Sequence, residues 1–112
     1  MLLKLTYSME ALNMYYSVLE VTPKNTDWIE GYLPTANKLV AKYGGKYLAR
    51  TGSHERVEGK GGDVALRIII EWPSKQAALD FMHDPEYAQH LKARTEGSES
   101  HHFLIEGKDE YK

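Results

Sequence analysis

The sequence predicts one small α+β domain whose elements run strand, helix, strand, strand, helix, strand. Three observations predict it. The chain has 112 residues, enough for a single core and too few for two. Four short runs rich in β-branched and aromatic residues stand at Tyr15–Val21, Lys46–Thr51, Ala65–Trp72 and His101–Glu106, each bounded by turn residues. Apolar residues at helical spacing fill the intervals after the first and the third run.

Tyr15–Val21 (YYSVLEV) is followed by Thr22-Pro23-Lys24-Asn25, a turn that ends the first strand. Asp27 and Glu30 form a capping-box pattern at the start of a helix. Trp28, Ile29, Tyr32, Leu33, Ala36, Leu39, Val40 and Tyr43 then recur at helical spacing. Pro34 interrupts that pattern and predicts a kink. Gly44-Gly45 ends the helix, because glycine accepts the left-handed cap conformation.

Lys46–Thr51 is the second strand, and Gly52–Asp63 a polar loop carrying Gly59, Gly61 and Gly62. Ala65–Trp72 (ALRIIIEW) is the clearest strand in the chain, stopped by Pro73. Ser74 caps the next helix, which presents Ala77, Ala78, Phe81 and Met82 on one face. Asp84-Pro85-Glu86-Tyr87 restarts a helix that runs to about Arg94. A Glu/Gly/Ser loop leads to the last strand, His101–Glu106, and a charged tail follows. This order is the split β-α-β pattern, a ferredoxin-like β-α-β-β-α-β sandwich.

In that fold the helices cover one face of the sheet. Ile68-Ile69-Ile70 is nonetheless apolar at every position, as in a strand buried on both sides. A second copy of the chain is the simplest cover for the other face, so a homodimer forming a dimeric α/β barrel is expected. Strand alternation places Tyr15, Leu19, Tyr47, Ala49, Ile68, Ile70, Trp72, Phe103 and Ile105 toward the helices. Val18, Glu20, Leu48, Arg50, Arg67, Ile69, Glu71, His102 and Leu104 then fall on the second face, apolar with charges near its mouth.

Composition narrows the function classes. Hydrophobic residues make up 42% and charged residues 27% of the chain, ordinary values for a soluble domain. Lys+Arg number 14 against Asp+Glu 16, a net charge of -2 without the basic excess of nucleic-acid binders. The chain has no cysteine, which excludes a disulfide framework, a thiolate zinc site and a cysteine nucleophile, and fits a reducing compartment. Met1–Glu10 is apolar only in fragments, broken by Lys4 and Glu10, and no run reaches membrane-span length. A cytoplasmic protein without membrane partners is expected.

The ordered segments Tyr43-Gly44-Gly45-Lys46-Tyr47-Leu48-Ala49-Arg50, Glu58-Gly59, Ile69-Ile70-Glu71-Trp72-Pro73-Ser74, Asp84-Pro85-Glu86-Tyr87, Arg94 and Glu106-Gly107 resemble the bacterial family called domain of unknown function 1330. The resemblance spans about Tyr15 to Gly107 and rests on the ordered set, no single motif being specific. It implies a ferredoxin-like fold of the dimeric α/β-barrel superfamily. That superfamily includes cofactor-independent monooxygenases of the antibiotic-biosynthesis type, muconolactone isomerases and haem-binding enzymes. It implies no single activity. Thr22–Thr26 looks longer than the family's first turn, and Met1–Asn13 has no counterpart, so residues 1–13 are expected to be an extension, 14–107 the domain and 108–112 a tail.

Arg50 is the first candidate site residue. A guanidinium at the mouth of a half-apolar pocket can bind a carboxylate or enolate through two hydrogen bonds. The alternative is an ion pair with Glu58 or Glu71 that holds the hairpin or the dimer. Glu58 and Glu71 are candidate proton carriers, because poor hydration raises a carboxyl pKa toward neutrality. Tyr87 can orient a substrate oxygen or simply pack a short helix, and Arg94 can bind substrate or cap a helix C-terminus. Trp72, with Tyr15, Tyr16 and Tyr47, can line an aromatic pocket or belong to the core.

His101 and His102 are strand neighbours that point to opposite faces and cannot share a metal. No other histidine has a partner at ligand spacing, so no metal and no cofactor are expected. His102 alone remains as an acid/base candidate. Gly59-Lys60-Gly61-Gly62 lacks phosphate-loop spacing, and Ser53-His54 lacks a nucleophile elbow. The reading that unites these residues is cofactor-independent proton or oxygen chemistry on a small acidic or aromatic compound, in a pocket of a homodimer. The alternative is a non-catalytic dimeric module that senses a ligand or serves in stress.

Overall fold

A computed structural model of the chain describes residues 13–112. Apart from Asn13, the expected extension lies outside the described residues. The elements are β1 (Tyr15–Pro23), α1 (Ile29–Lys42), β2 (Lys46–Thr51), β3 (Leu66–Trp72), α2 (Lys75–Met82), α3 (Ala88–Gly97) and β4 (Ser98–Glu106). The strands form one antiparallel sheet in the order β2-β3-β1-β4. This is the ferredoxin-like arrangement that the order of elements predicts.

Local chemistry explains most boundaries. Gly44 closes α1 with φ +76°, a conformation costly for a residue with a Cβ. The Ser74 hydroxyl accepts the Ala77 N–H at 3.1 Å and caps α2. Two expected features differ. The Asp27/Glu30 capping box does not form; Asn25 Oδ1 instead accepts the Asp27 N–H at 3.1 Å, and the helix begins at Ile29. No loop separates the last helix from the last strand: α3 runs to Gly97 and β4 starts at Ser98. The first strand recruits this extra length, since β1 pairs with β4 as far as Pro23 opposite Ser98 and the Lys24 N–H donates to Gly97 O at 2.8 Å. Pro34 lies inside a continuous α1.

The core lies between one sheet face and the helices. Leu19, Val21, Ile70 and Trp72 from the strands meet Ala36, Leu39, Val40, Ala78 and Phe81 from the helices. Cross-strand partners share a face, so the register corrects the expected parity of two strands. In β4, His102 stands opposite Leu19 and Leu104 opposite Ser17, and both belong to the helix-covered face. Phe103 and Ile105 point away and are 70% and 51% exposed. In β2 a bulge between Tyr47 and Ala49 inserts one residue. Ala49 therefore faces outward opposite Ile69, and Arg50 returns to the helix-covered side opposite Ile68.

The outer face carries Val18, Leu48, Ile69, Phe103 and Ile105, all of them exposed. An Arg67–Glu20 ion pair at 2.9 Å marks its polar end. A continuous apolar patch of this kind signals an interaction surface. Among the described residues no helix is long and apolar enough to cross a membrane.

Candidate functional site

A cavity of about 280 Å³ opens between the sheet and the helices. Its walls are Leu19, Val21, Leu66, Ile68 and Ile70 from the sheet and Trp28, Ile29, Leu33, Phe81 and Met82 from the helical layer. Six polar side chains interrupt this lining: Tyr32, Tyr47, Arg50, Tyr87, Arg94 and His102. No Asp or Glu is among them.

An aromatic ladder leads from the core to this cavity. Ring centroids are 5.2 Å apart for Trp72–Phe81, 4.3 Å for Phe81–Tyr87, 5.9 Å for Tyr87–Tyr32 and 5.4 Å for Tyr32–Trp28. Each contact of this type is worth about 0.5–1.5 kcal/mol beyond burial, so the wall is stiff. Trp28 is fixed further by donating its indole N–H to Gly97 O at 3.1 Å. A Cβ on Gly97 would clash with that indole, which explains a glycine at the end of α3.

The Tyr32 and Tyr87 hydroxyls lie 2.5 Å apart. Burial raises both phenol pKa values, and for Tyr32 the neighbouring Tyr87 adds to the effect. Both rings therefore stay protonated. One hydroxyl donates to the other, and the second keeps a proton to offer the cavity.

Arg94 is the most unusual group. It is 3% exposed, and among the described residues its Nε and Nη1 have no hydrogen-bond partner. The guanidinium carbon lies 5.8 Å from the Tyr32 ring centroid, a marginal cation–π contact. A guanidinium cannot shed its proton, and buried N–H groups of a charged side chain left without acceptors cost about 1–3 kcal/mol each. Asp84, in an adjoining groove that shares Met82, Arg94 and His102 with the cavity, is already engaged. It accepts from Tyr43 Oη at 2.6 Å, Lys42 Nζ at 3.1 Å and the Glu86 N–H at 2.8 Å. Tyr43 is the main cause holding its carboxyl below the usual range. The C-terminal cap that α3 would accept from an exposed arginine is not the role Arg94 plays.

His102 sits on the cavity wall with Nε2 2.8 Å from Ser17 Oγ. Ser17 is fully buried and also accepts the Trp72 indole N–H at 2.8 Å. Indole can only donate, and the serine oxygen, with one proton and two acceptor lone pairs, donates to His102 Nε2 or accepts from it according to the ring tautomer. Burial, and secondarily the nearby Arg94 charge, push the His102 pKa down from 6.5 to about 4. At neutral pH the ring is an uncharged hydrogen-bond donor.

Arg50 lies at the mouth, exposed, with its guanidinium 3.8 Å from the Tyr47 ring centroid and Nη1 donating to Asn37 Oδ1 at 2.7 Å. Among the described residues it forms no ion pair with Glu58 or Glu71. The structure therefore brings together Arg50, Tyr87, Arg94 and His102 of the candidates. It separates the other three. Glu58 is exposed in the 52–65 loop, away from the cavity lining. Glu71 pairs with Tyr16 and Lys46 and so points to the outer face, because strand alternation puts it opposite to its neighbours Ile70 and Trp72. Trp72 is fully buried core that reaches the site only through Ser17.

Tyr32 and Ser17 escape a reading of the sequence. Tyr32 looks like one more core position of a periodic helix, and Ser17 is a small polar residue in a strand. The one available signal is a serine at an inward position between Tyr15 and Leu19. Among the described residues, no three His, Cys, Asp or Glu side chains gather as metal ligands would.

A family model described as "Domain of unknown function (DUF1330)" matches residues 14–108. No curated protein matches the chain. Among solved structures, a protein of unknown function from Rhodopseudomonas palustris is similar with TM-score 0.75 and 15% identity, over 96% of this chain and 92% of that one. SnoaB from Streptomyces nogalater, a cofactor-independent oxygenase, is similar with TM-score 0.55 and 18% identity, over 87% of this chain and 93% of that one. A dabb family protein with a ferredoxin-like fold from Mesorhizobium loti has TM-score 0.52 and 13% identity, over 83% and 95%. At these identities the likeness is one of fold.

Proposed function

This chain belongs to the DUF1330 family, and we propose that its sheet–helix cavity takes up a small acidic or aromatic compound and performs proton or oxygen chemistry on it without a cofactor. The observation that carries this reading is the cavity itself. Apolar walls enclose phenols and an imidazole that are neutral at physiological pH, beside a buried positive charge. Such a site favours negative charge developing on a bound molecule, as in an enolate or oxyanion, because fixed donors in a dry cavity need no reorganisation. His102 serves as a donor and Tyr32–Tyr87 as a second donor pair. Arg94 supplies the field, and Arg50 guides an acidic compound through the mouth. The neighbour SnoaB, a cofactor-independent oxygenase of the same fold, supports the cofactor-free reading by analogy.

The protein works as a homodimer in this proposal. The second copy covers Val18, Ile69, Phe103 and Ile105 on the outer sheet face, which would otherwise expose apolar surface to water.

One observation favours the non-catalytic alternative. No carboxylate lines the cavity, and an imidazole with a pKa near 4 is a weak base. Native mass spectrometry of gently purified protein reports subunit number and retained ligand together. Incubation with aromatic acids and phenols in deuterated, air-saturated buffer then reads proton exchange and oxygen uptake. A ligand-bearing dimer with exchange or oxygen uptake that Tyr87→Phe and His102→Gln reduce is the expected result. Binding without turnover would assign the protein to the sensing class, and failure to bind any compound of the panel would refute the pocket.

A further inference from the structure

We propose that the natural ligand is an apolar monocarboxylate whose carboxylate sits on the guanidinium of Arg94. The inference rests on the cavity being a ligand pocket and adds the charge, size and orientation of what fills it.

The first ground is a guanidinium with two unpartnered nitrogens. Arg94 is 3% exposed, and its Nε and Nη1 are shielded from solvent without a protein acceptor among the described residues. Nε shares the side-on edge of the planar fork with Nη2, and Nη1 shares the end-on edge with Nη2; either edge binds a carboxylate through two parallel hydrogen bonds, and each carries an unpartnered N–H here. The protein offers no competing anion there, since no acid lines the cavity and Asp84 is held by Lys42 and Tyr43.

The second ground is charge. Arg94 is the one buried cation of the lining; Arg50 is exposed at the mouth and already occupied by Tyr47 and Asn37. A single buried positive charge balances a monoanion, whereas a phosphate dianion would carry excess charge into an apolar enclosure. The third ground is size and wall chemistry. At about 30 Å³ per water in the liquid, the cavity of about 280 Å³ has the room of roughly nine waters. That suits a body of one or two rings packed among Trp28, Ile68, Phe81 and Tyr87. The spare phenolic proton of the Tyr32–Tyr87 pair is available to a ligand oxygen.

The test compares acids with their amides. Benzoate, trans-cinnamate and 2-naphthoate, and the corresponding neutral amides, are titrated into the full-length protein by calorimetry, with Trp28 fluorescence as a second signal. The expected preference for acid over amide is about ten- to a hundredfold, the range of a charge-assisted pair. Arg94→Met should abolish that preference while retaining amide binding. Arg94→Lys, which keeps the charge and loses the fork, should retain only part of it. Equal binding of acid and amide by the unaltered protein, a comparison that needs no variant, would overturn the carboxylate assignment and leave the pocket standing. Binding of neither series would overturn both. A preference that survives in Arg94→Met would move the anion site elsewhere.

Discussion

The pH dependence of folding offers a direct reading of the His102 environment. His102 is held neutral by burial and by Arg94, with its pKa pushed from 6.5 to about 4. The folded-state pKa is the lower one, so between about pH 6.5 and 4 the unfolded chain binds a proton that the folded chain refuses. Stability attributable to this residue is therefore constant above about pH 7 and falls as pH drops through the window. The slope is about 1.4 kcal/mol per pH unit, and the whole gap corresponds to about 3 kcal/mol. Urea unfolding at half-unit steps from pH 7.5 to 4, run in parallel on the unaltered protein and His102→Gln, isolates the residue from the other histidines by difference. The two curves should converge as pH falls, the variant losing less stability. Nuclear magnetic resonance of the imidazole should place its midpoint well below 6. In Arg94→Met the midpoint should rise without reaching 6.5, because burial is the larger cause. Parallel stability curves, or an imidazole that titrates at its ordinary value, would falsify the buried, neutral His102 and the donor role built on it.

Three further outcomes follow from the packing. Ser17→Ala deprives the buried Trp72 N–H of its acceptor and should cost about 1–3 kcal/mol in urea unfolding; no change would mean that the Trp72–Ser17–His102 chain does not hold the ring. Gly97→Ala drives a methyl into the Trp28 indole and should destabilise by about 1–3 kcal/mol, with a shift in tryptophan emission; an unshifted spectrum and unchanged midpoint would argue against that contact. Phe103→Glu, at a position 70% exposed on the outer face, should turn a dimer into a folded monomer in sedimentation velocity, and an unaltered assembly would remove this face from the interface.

Much of the architecture is written in local sequence. Gly44 and Ser74 mark helix ends because only their own backbone and side-chain chemistry is needed to do so. The alternation in β1 and β3 is equally local, and Leu19, Ile68, Ile70 and Trp72 face the helices as their spacing predicts. Arg50, Tyr87, Arg94 and His102 stand out as chemistry-bearing residues on the same terms, although not by position. What the sequence could not determine is which way two strands face. In β4 the more apolar parity, Phe103 and Ile105, points outward, and His102 points in. In β2 one bulged residue returns Arg50 to the cavity side. Side chains alternate with a period of two, so a slip or insertion of a single residue exchanges the faces of everything beyond it. That choice is made by pairing between segments far apart in the chain. The same long-range pairing sets Ser17 beside His102 and Trp72, carries Glu71 to the far side of the sheet and encloses Arg94 with its Nε and Nη1 lacking an acceptor among the described residues. None of these has a signature in neighbouring residues, because each is a relation between elements.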